Sequence, residues 1–460
     1  MDTALWQKIL QFDFDYPMSE YGFSTRLADE NYWTKNYTDK AILDYKKFMY
    51  LAATNDVMVS PSEVVDLVWH QHLIFTPSYA AFCDLLGKKI QHIPSTHNRE
   101  DFQKFKQAKE RTTKLYHENF GEQPIEIWGY HTMFDSLRLE KSRFKIRTFV
   151  IIGILSFIAL IIPSYFLLQP FYIKIGNPYF LICYLTIVIL TFISLDFFNK
   201  SQLKKITDQF DRNSFIFDLQ PLEMVYLKTQ KMADVVNGVL NELIISKRIR
   251  ANSDNTLEKL TYGDANTLEE FQIDKVYDDF WKLSYPTVVY QLARQPIFWN
   301  VANSLDAFKK YFNKSKKFGA LFYVNFIIQN ILLMLGLIRL FTGILRDKPI
   351  IQISIVLVLM VALIIFYLHR LTKLTCTYTI PQLYKEKILP ERDISGDWQW
   401  SYFLLGSSIL MASFQPMANR STTKNTEGGN CGSSGESSGG SSCGSSCGSS
   451  CGSCGGCGGD

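Results

Sequence analysis

Two long apolar blocks divide the chain, and each has a polar break near its middle. The first block covers residues 149–198 with a break at 169–178, and the second covers 318–368 with a break at 346–349. Each half is close to the ~20 residues that an α-helix needs to cross the ~30 Å hydrocarbon core of a bilayer. The pattern therefore predicts two transmembrane helical hairpins, at 149–198 and 318–368.

The segment before the first block, residues 1–147, has apolar positions at the three-and-four spacing of helices that face a core. Helix starts are expected at Thr38, at Ser60 and at Thr76, because serine and threonine side chains cap helix N-termini. Gly87 is expected to end the third of these helices, since glycine adopts the left-handed conformation at low cost. The segment is predicted to be a helical soluble domain.

Residues 200–317 lie between the two blocks. Helical patterns at 221–227 and 235–244 precede a basic stretch, 247–250, and a predicted β-hairpin. This order predicts a small winged-helix-like α+β domain, which could serve DNA binding or protein contact. Acidic and basic residues nearly balance there, which favours protein contact. A basic amphipathic stretch, 308–318, has the character of a segment that lies on an anionic membrane surface.

After the second block, residues 369–426 form a polar segment that contains a short apolar stretch, 402–414. That stretch is too short for a comfortable crossing, so we expect it to be buried or interfacial; a fifth span is the alternative. Residues 427–460 are almost entirely glycine, serine and cysteine. This composition cannot bury a core and predicts a disordered tail.

Basic residues flank the apolar blocks unequally. Lys141, Arg143, Lys145 and Arg147 precede the first block, whereas Lys174 is the basic residue of its link. The lysines before Phe318 give the second block a weaker bias of the same sense. By the positive-inside rule, we expect a multi-pass protein of the cell membrane with the N-terminus, 200–317 and the tail in the cytoplasm. The net charge is only +4 over 460 residues, so no nucleic-acid partner is expected.

Three amides, Asn325, Gln329 and Asn330, fall inside the third predicted span. Amides are costly against lipid, so we expect them to face a neighbouring helix and to hydrogen-bond there. The alternative is a polar path for a substrate. Acidic residues, lysine and histidine are absent from the span centres, which argues against a proton-coupled pump.

The densest group of chemically active side chains lies in the N-terminal segment and comprises Asp66, His70, His72, Cys83, His92 and His97. Imidazole and thiolate ligands together suit zinc, and an aspartate beside a ligating histidine is a common supporting partner. We therefore consider a metal site of His70, His72, Cys83 and His92, with Asp66 orienting His70. The alternative is structural: Asp66 fixes the His70 ring, His72 packs in the core, and His92 and His97 are ordinary loop residues.

The sequence VDLVWHQHL at 65–73, followed by Tyr79, Cys83, Gly87 and His92, resembles the hallmark of the glycine-rich domain-containing protein family. The resemblance covers roughly residues 31–95. The 219–260 region and the Gly/Cys-rich terminus resemble a family of bacterial multispanning membrane proteins of unknown function, although serine replaces much of the glycine here. Both resemblances imply architecture, and neither implies a settled activity.

No phosphate-binding loop, serine-nucleophile elbow or HExxH helix stands in a supporting context. The leading expectation is a non-enzymatic scaffold or sensor that presents soluble modules in the cytoplasm to protein partners or to further copies of itself. The alternative is a metal-binding, hydrolytic membrane protein that uses the His/Cys cluster of the N-terminal domain.

Overall fold

The computed structural model describes residues 1–93, 99–260, 265, 267–392, 394 and 396–419. The predicted tail, 427–460, lies outside the described residues, as does His97. The protein is mainly α-helical with one small sheet, as predicted. The N-terminal helices are α1 (Thr3–Gln11), α2 (Phe23–Asn31), α3 (Lys35–Thr54), α4 (Glu63–Ile74), α5 (Thr76–Leu86), α6 (Arg99–Phe120) and α7 (Ile125–Trp128).

The rest of the described chain adds long helices and three short strands. The helices are α8 (Ile146–Tyr172), α9 (Asn177–Thr207), α10 (Pro221–Thr229), α11 (Met232–Ile245), α12 (Leu268–Val276), α13 (Tyr285–Leu292), α14 (Pro296–Asn313), α15 (Lys316–Ile344), α16 (Ile351–Leu374), α17 (Ile380–Leu383) and α18 (Trp398–Leu405). The strands are β1 (Ile249–Ala251), β2 (Thr256–Lys259) and β3 (Lys282–Ser284), which form an antiparallel sheet in the order β1-β2-β3. The predicted hairpin, β1–β2, is therefore confirmed.

The starts of two N-terminal helices differ from the prediction. Helix α3 begins at Lys35, directly after Thr34, so the predicted start at Thr38 is wrong. Thr38 lies inside the helix, and its hydroxyl donates to the Thr34 carbonyl oxygen. Helix α4 is capped by Ser62, whose Oγ accepts from the Val65 N–H at 3.2 Å, so the predicted cap at Ser60 is wrong. The predicted stop at Gly87 is confirmed: its φ of 68° is left-handed.

Four helices, α8, α9, α15 and α16, are long and apolar enough to span a membrane. They coincide with the two predicted hairpins, and two of them continue well beyond the predicted ends. Helix α9 runs nine residues past Phe198, and α16 continues through π-helical turns at 375–379 and 384–388. These extensions form because Leu203 and Leu371 are buried in the core beyond the apolar blocks.

One hydrophobic core joins the two segments that the sequence treats as separate domains. It includes Phe23 and Tyr45 of the N-terminal helices together with Val236 and Phe308 of the central helices. The 402–414 stretch also enters this core: Phe414 is fully buried, and the Tyr402 hydroxyl donates to the Asp234 carbonyl oxygen at 2.9 Å. The expectation of a buried segment there is confirmed.

The basic stretch 308–318 does not present an apolar face to a membrane. Phe308, Phe312 and Phe318 are at most 1% exposed and belong to the same protein core. The amphipathic pattern was correct, but protein rather than lipid covers its apolar side.

The amides of α15 behave in two ways. Asn325 and Gln329 are fully buried between helices, whereas the Asn330 amide donates to the Phe326 carbonyl oxygen of its own helix. Asn325 exchanges two hydrogen bonds with Asn199 of α9, at 2.7 and 2.8 Å. The expected contact with a neighbouring helix is confirmed for Asn325.

Candidate metal centre

Helix α4 and the segment that follows α5 bring three donor side chains together. Asp66 and His70 are four residues apart on α4 and therefore share one helical face. His92 reaches that face from outside any helix, after α5 has ended at Gly87. Among the described residues, these three form the cluster whose donor atoms lie within 4.8 Å of one another.

The distances inside the cluster are short. Nε2 of His92 lies 2.8 Å from Oδ1 of Asp66 and 3.0 Å from Nε2 of His70, and Nε2 of His70 lies 3.6 Å from Oδ2 of Asp66. Two imidazole nitrogens at this distance need either a shared proton or a shared cation between them. The carboxylate adds negative charge beside both rings, which favours a cation.

Neighbouring aromatic residues hold His92 in place. The Trp69 ring packs edge-on against the His92 ring, with centroids 4.6 Å apart. The Tyr79 hydroxyl accepts from Trp69 Nε1 at 3.2 Å and donates to the Ile90 carbonyl oxygen at 2.5 Å. Burial raises the pKa of Tyr79 to about 12, so this donor stays protonated at neutral pH. These contacts fix the chain two residues before His92 against α4.

His72 does not join the cluster, which corrects the ligand set predicted from the sequence. Because α4 continues to Ile74, His72 points away from His70 into the core, where it is fully buried. Its Nδ1 lies 2.8 Å from the Tyr45 hydroxyl and its Nε2 lies 3.2 Å from Ser78 Oγ. Burial lowers the pKa of His72 to about 3, so this ring is neutral. The structural alternative is therefore correct for His72.

Cys83 also lies apart from the three donors. It is a buried residue of α5 and is not among the clustered donors of the described chain. Asp66, which the sequence assigns to a supporting role, instead directs Oδ1 to His92 and Oδ2 to His70. The i,i+4 spacing of Asp66 and His70 was visible in the sequence, but the approach of His92 depends on the fold of the segment after α5.

The donor set fits a transition metal. Zinc bonds of ~2.0–2.1 Å at tetrahedral angles place neighbouring donor atoms roughly 3.3 Å apart. The nearest separations between the imidazoles and Asp66 are 2.8 Å, from His92 to Oδ1, and 3.6 Å, from His70 to Oδ2, so small shifts would reach that value. The site is accessible, since the His70 side chain is 47% exposed. A cavity of about 400 Å³ adjoins the cluster and is lined by Asp66, His92, Trp69 and Lys88. Three protein ligands would leave a fourth position of a bound zinc open, and two of the three, Asp66 and His92, line this cavity.

Comparisons of the chain with protein families, with curated proteins and with solved structures found no match.

Proposed function

We propose that the chain is a multi-pass membrane protein that acts as a non-enzymatic scaffold or sensor and binds zinc through Asp66, His70 and His92. The observation that carries the metal proposal is the convergence of two imidazoles and one carboxylate, whose donor atoms lie within 4.8 Å of one another. The membrane part is supported by four apolar helices of spanning length. From the sequence motif at 65–92, we also propose that the N-terminal segment is related to the glycine-rich domain-containing proteins.

The sidedness of the protein is proposed from charge. The basic residues before α8 and α15 support a cytoplasmic position for the N-terminus, for residues 200–317 and for the tail. In the central segment, helices α10 and α11 and the β1–β2 hairpin are proposed to form a winged-helix-like unit for protein contact. The single core that these helices share with the N-terminal helices supports a scaffold in which the segments act together.

Metal analysis of the purified, detergent-solubilised protein tests this function. For this measurement, serine replaces the six tail cysteines in the parent and in every variant, so that tail thiolates do not bind metal. We expect about one bound zinc per chain, lost or bound at least tenfold more weakly in His92→Gln and in Asp66→Asn, because each change removes one ligand.

His117→Gln is the matched control. His117 is exposed and pairs with Glu122 at 3.1 Å, outside the cluster, so this variant should bind zinc as the parent does. Absence of zinc from the parent after dialysis against zinc, or equal zinc content in the parent and His92→Gln, would contradict the proposal.

A second candidate function is metal-dependent hydrolysis. The cavity beside Asp66 and His92 favours it, because a zinc with three protein ligands can activate a water in the fourth position. Hydrolysis of an activated ester by the zinc-loaded parent, reduced in His92→Gln but not in His117→Gln, would favour this candidate. Zinc binding without such a difference would favour the sensor.

A further inference from the structure

A second cavity lies where the N-terminal helices meet the central helices. It has a volume of about 340 Å³ and is bounded by α2 and α3 on one side and by α10, α11 and α14 on the other. Its walls are mostly apolar, contributed by Ala28, Trp33, Leu222, Val235, Val239 and Val301. This size and lining are typical of a site for a small organic molecule.

Glu223 and Asn300 interrupt the apolar wall with hydrogen-bond acceptors. Glu223 is only 2% exposed, and its two carboxylate oxygens accept from the backbone N–H groups of Lys35, at 3.0 Å, and Gln220, at 2.8 Å. Asn300 donates its amide N–H to the Thr25 carbonyl oxygen at 2.8 Å, while its Oδ1 is buried without a hydrogen-bond partner in the described part of the chain. An unpaired buried carbonyl is unfavourable, so Asn300 offers an acceptor to a donor from outside the chain.

Three of the donors that line the cavity, those of Lys35, Thr38 and Ser304, are already used within the protein. The Thr38 hydroxyl donates to the Thr34 carbonyl oxygen and the Ser304 hydroxyl to that of Val301. Lys35, the cationic residue among the described lining residues, directs its ammonium to both carboxylate oxygens of Asp39, at 2.6 and 2.7 Å. These three donors are therefore engaged, whereas the Asn300 carbonyl oxygen has no partner among the described residues.

The charge of the wall is negative. Two carboxyl groups, those of Glu223 and Glu269, line the cavity, whereas the one lining ammonium is neutralised by Asp39. Removal from water raises the pKa of Glu223 to about 7, even though the two backbone N–H groups oppose the shift. A cation in the cavity would restore the favourable partner that Glu223 loses by burial.

We propose that this cavity binds an apolar organic molecule that carries a primary ammonium group. The hydrocarbon part packs against the apolar wall, and the ammonium donates to the Glu223 carboxylate and to Asn300 Oδ1. The site is separate from the Asp66, His70 and His92 cluster and goes beyond the function proposed above. Because both the N-terminal and the central helices form its walls, the ligand would stabilise their contact.

Binding of matched probes to the full chain in lipid nanodiscs tests the proposal. The probes are 2-phenylethylamine, 2-phenylethanol and 3-phenylpropanoate, measured by equilibrium dialysis at pH 8, where the amine is charged. We expect saturable binding of the amine, at least tenfold weaker binding of the alcohol and none of the carboxylate. Empty nanodiscs give the partition of each probe into lipid, which is subtracted.

Two variants locate the bound amine. Val301→Phe fills the cavity and Glu223→Gln removes the carboxylate, and each should weaken binding of 2-phenylethylamine at least tenfold. Lys310→Phe, on the exposed face of the same helix α14, and His92→Gln, at the metal cluster, should bind the amine as the parent does. No saturable amine binding by the parent, equal binding of amine and alcohol, or undiminished binding by Val301→Phe would overturn the proposal. If one of the variants Val301→Phe and Glu223→Gln fails to fold, amine binding by the other decides the outcome.

Discussion

Glu223 illustrates how a residue of ordinary sequence context becomes unusual through packing. In the sequence it is an acid in the first turn of a helix that Pro221 opens, a common position for a carboxylate near the helix N-terminus. In the structure it caps its own helix through Gln220 and also accepts from Lys35 at the start of α3. One carboxyl group thus joins the N-terminal and central helices.

The buried Glu223 predicts a specific pH dependence of stability. Its folded-state pKa of about 7 lies above the ordinary value of 4.5, so the folded protein retains a proton that the unfolded chain releases. The contribution of this proton to the free energy of unfolding is fully present below about pH 4.5 and is lost as the pH rises through 7. Its upper bound is about 3 kcal/mol. The midpoint temperature of thermal unfolding of the parent should therefore decrease when the pH is raised from 6 to 8.

Glu223→Gln provides the comparison for this pH dependence. The variant is expected to be less stable at pH 6, because its amide NH₂ group faces one of the two backbone N–H donors. Its unfolding midpoint should change less than that of the parent between pH 6 and pH 8, since other titrating groups contribute equally to both proteins. Identical pH dependence of the two proteins would show that Glu223 does not titrate in this range.

At the scale of elements, the packing of the spans depends on a small polar group between α9, α15 and α16. Asn199 and Asn325 exchange amide hydrogen bonds, and Asn199 Nδ2 also donates to the Tyr367 hydroxyl oxygen at 3.0 Å. Asn199 and Asn325 are fully buried. Three of the four candidate spans are therefore connected by side-chain hydrogen bonds.

Removing both partners of this pair should cost less than the sum of the two single removals. Asn199→Leu leaves the Asn325 amide without its partner in an apolar environment, and we expect a loss of about 1 kcal/mol. The double variant Asn199→Leu, Asn325→Leu should lose less than the sum of the single changes. The measurement is a double-mutant cycle of unfolding free energies in one detergent.

Asn330→Leu is the control for this cycle, because the Asn330 amide bonds within its own helix. It should have a smaller effect than Asn199→Leu and should add to it without coupling. Strict additivity of Asn199→Leu and Asn325→Leu would mean that the reciprocal hydrogen bonds contribute nothing measurable.

At the scale of the whole molecule, the N-terminal helices, the central helices and residues 402–414 contact one another directly. Segments that share a core must lie on the same side of a bilayer that the apolar helices cross. This arrangement agrees with the charge bias before both hairpins and supports the proposed topology, including the position of the tail.

Cysteine labelling in intact cells tests that topology. Cys83 and Cys376 are buried and Cys183 lies within an apolar span, so the tail cysteines should dominate reaction with a membrane-impermeant maleimide. We expect labelling after permeabilisation but not before, with a tail-serine variant as the control for the remaining cysteines. Labelling of the parent, but not of that variant, in intact cells would place the tail outside the cytoplasm.

Much of the fold could be predicted because it depends on local pattern. Apolar runs of spanning length identified α8, α9, α15 and α16, and Gly87 marked the end of α5. Exact helix starts were less predictable, since Ser60 and Ser62 both offer a capping hydroxyl and the neighbouring packing selects Ser62. The site was predictable in part: the sequence indicated Asp66, His70 and His92, but it could not separate them from His72 and Cys83.

The amino-acid sequence by itself determined the apolar helices, the polar composition of the tail and the shared helical face of Asp66 and His70, because each depends on spacing along one chain. Tertiary structure decided which distant groups meet. It placed His92 beside α4, buried His72 against Tyr45, covered the apolar face of 308–318 with protein and enclosed Glu223 between two segments. Such contacts depend on how separate elements pack, and spacing along the chain does not specify them.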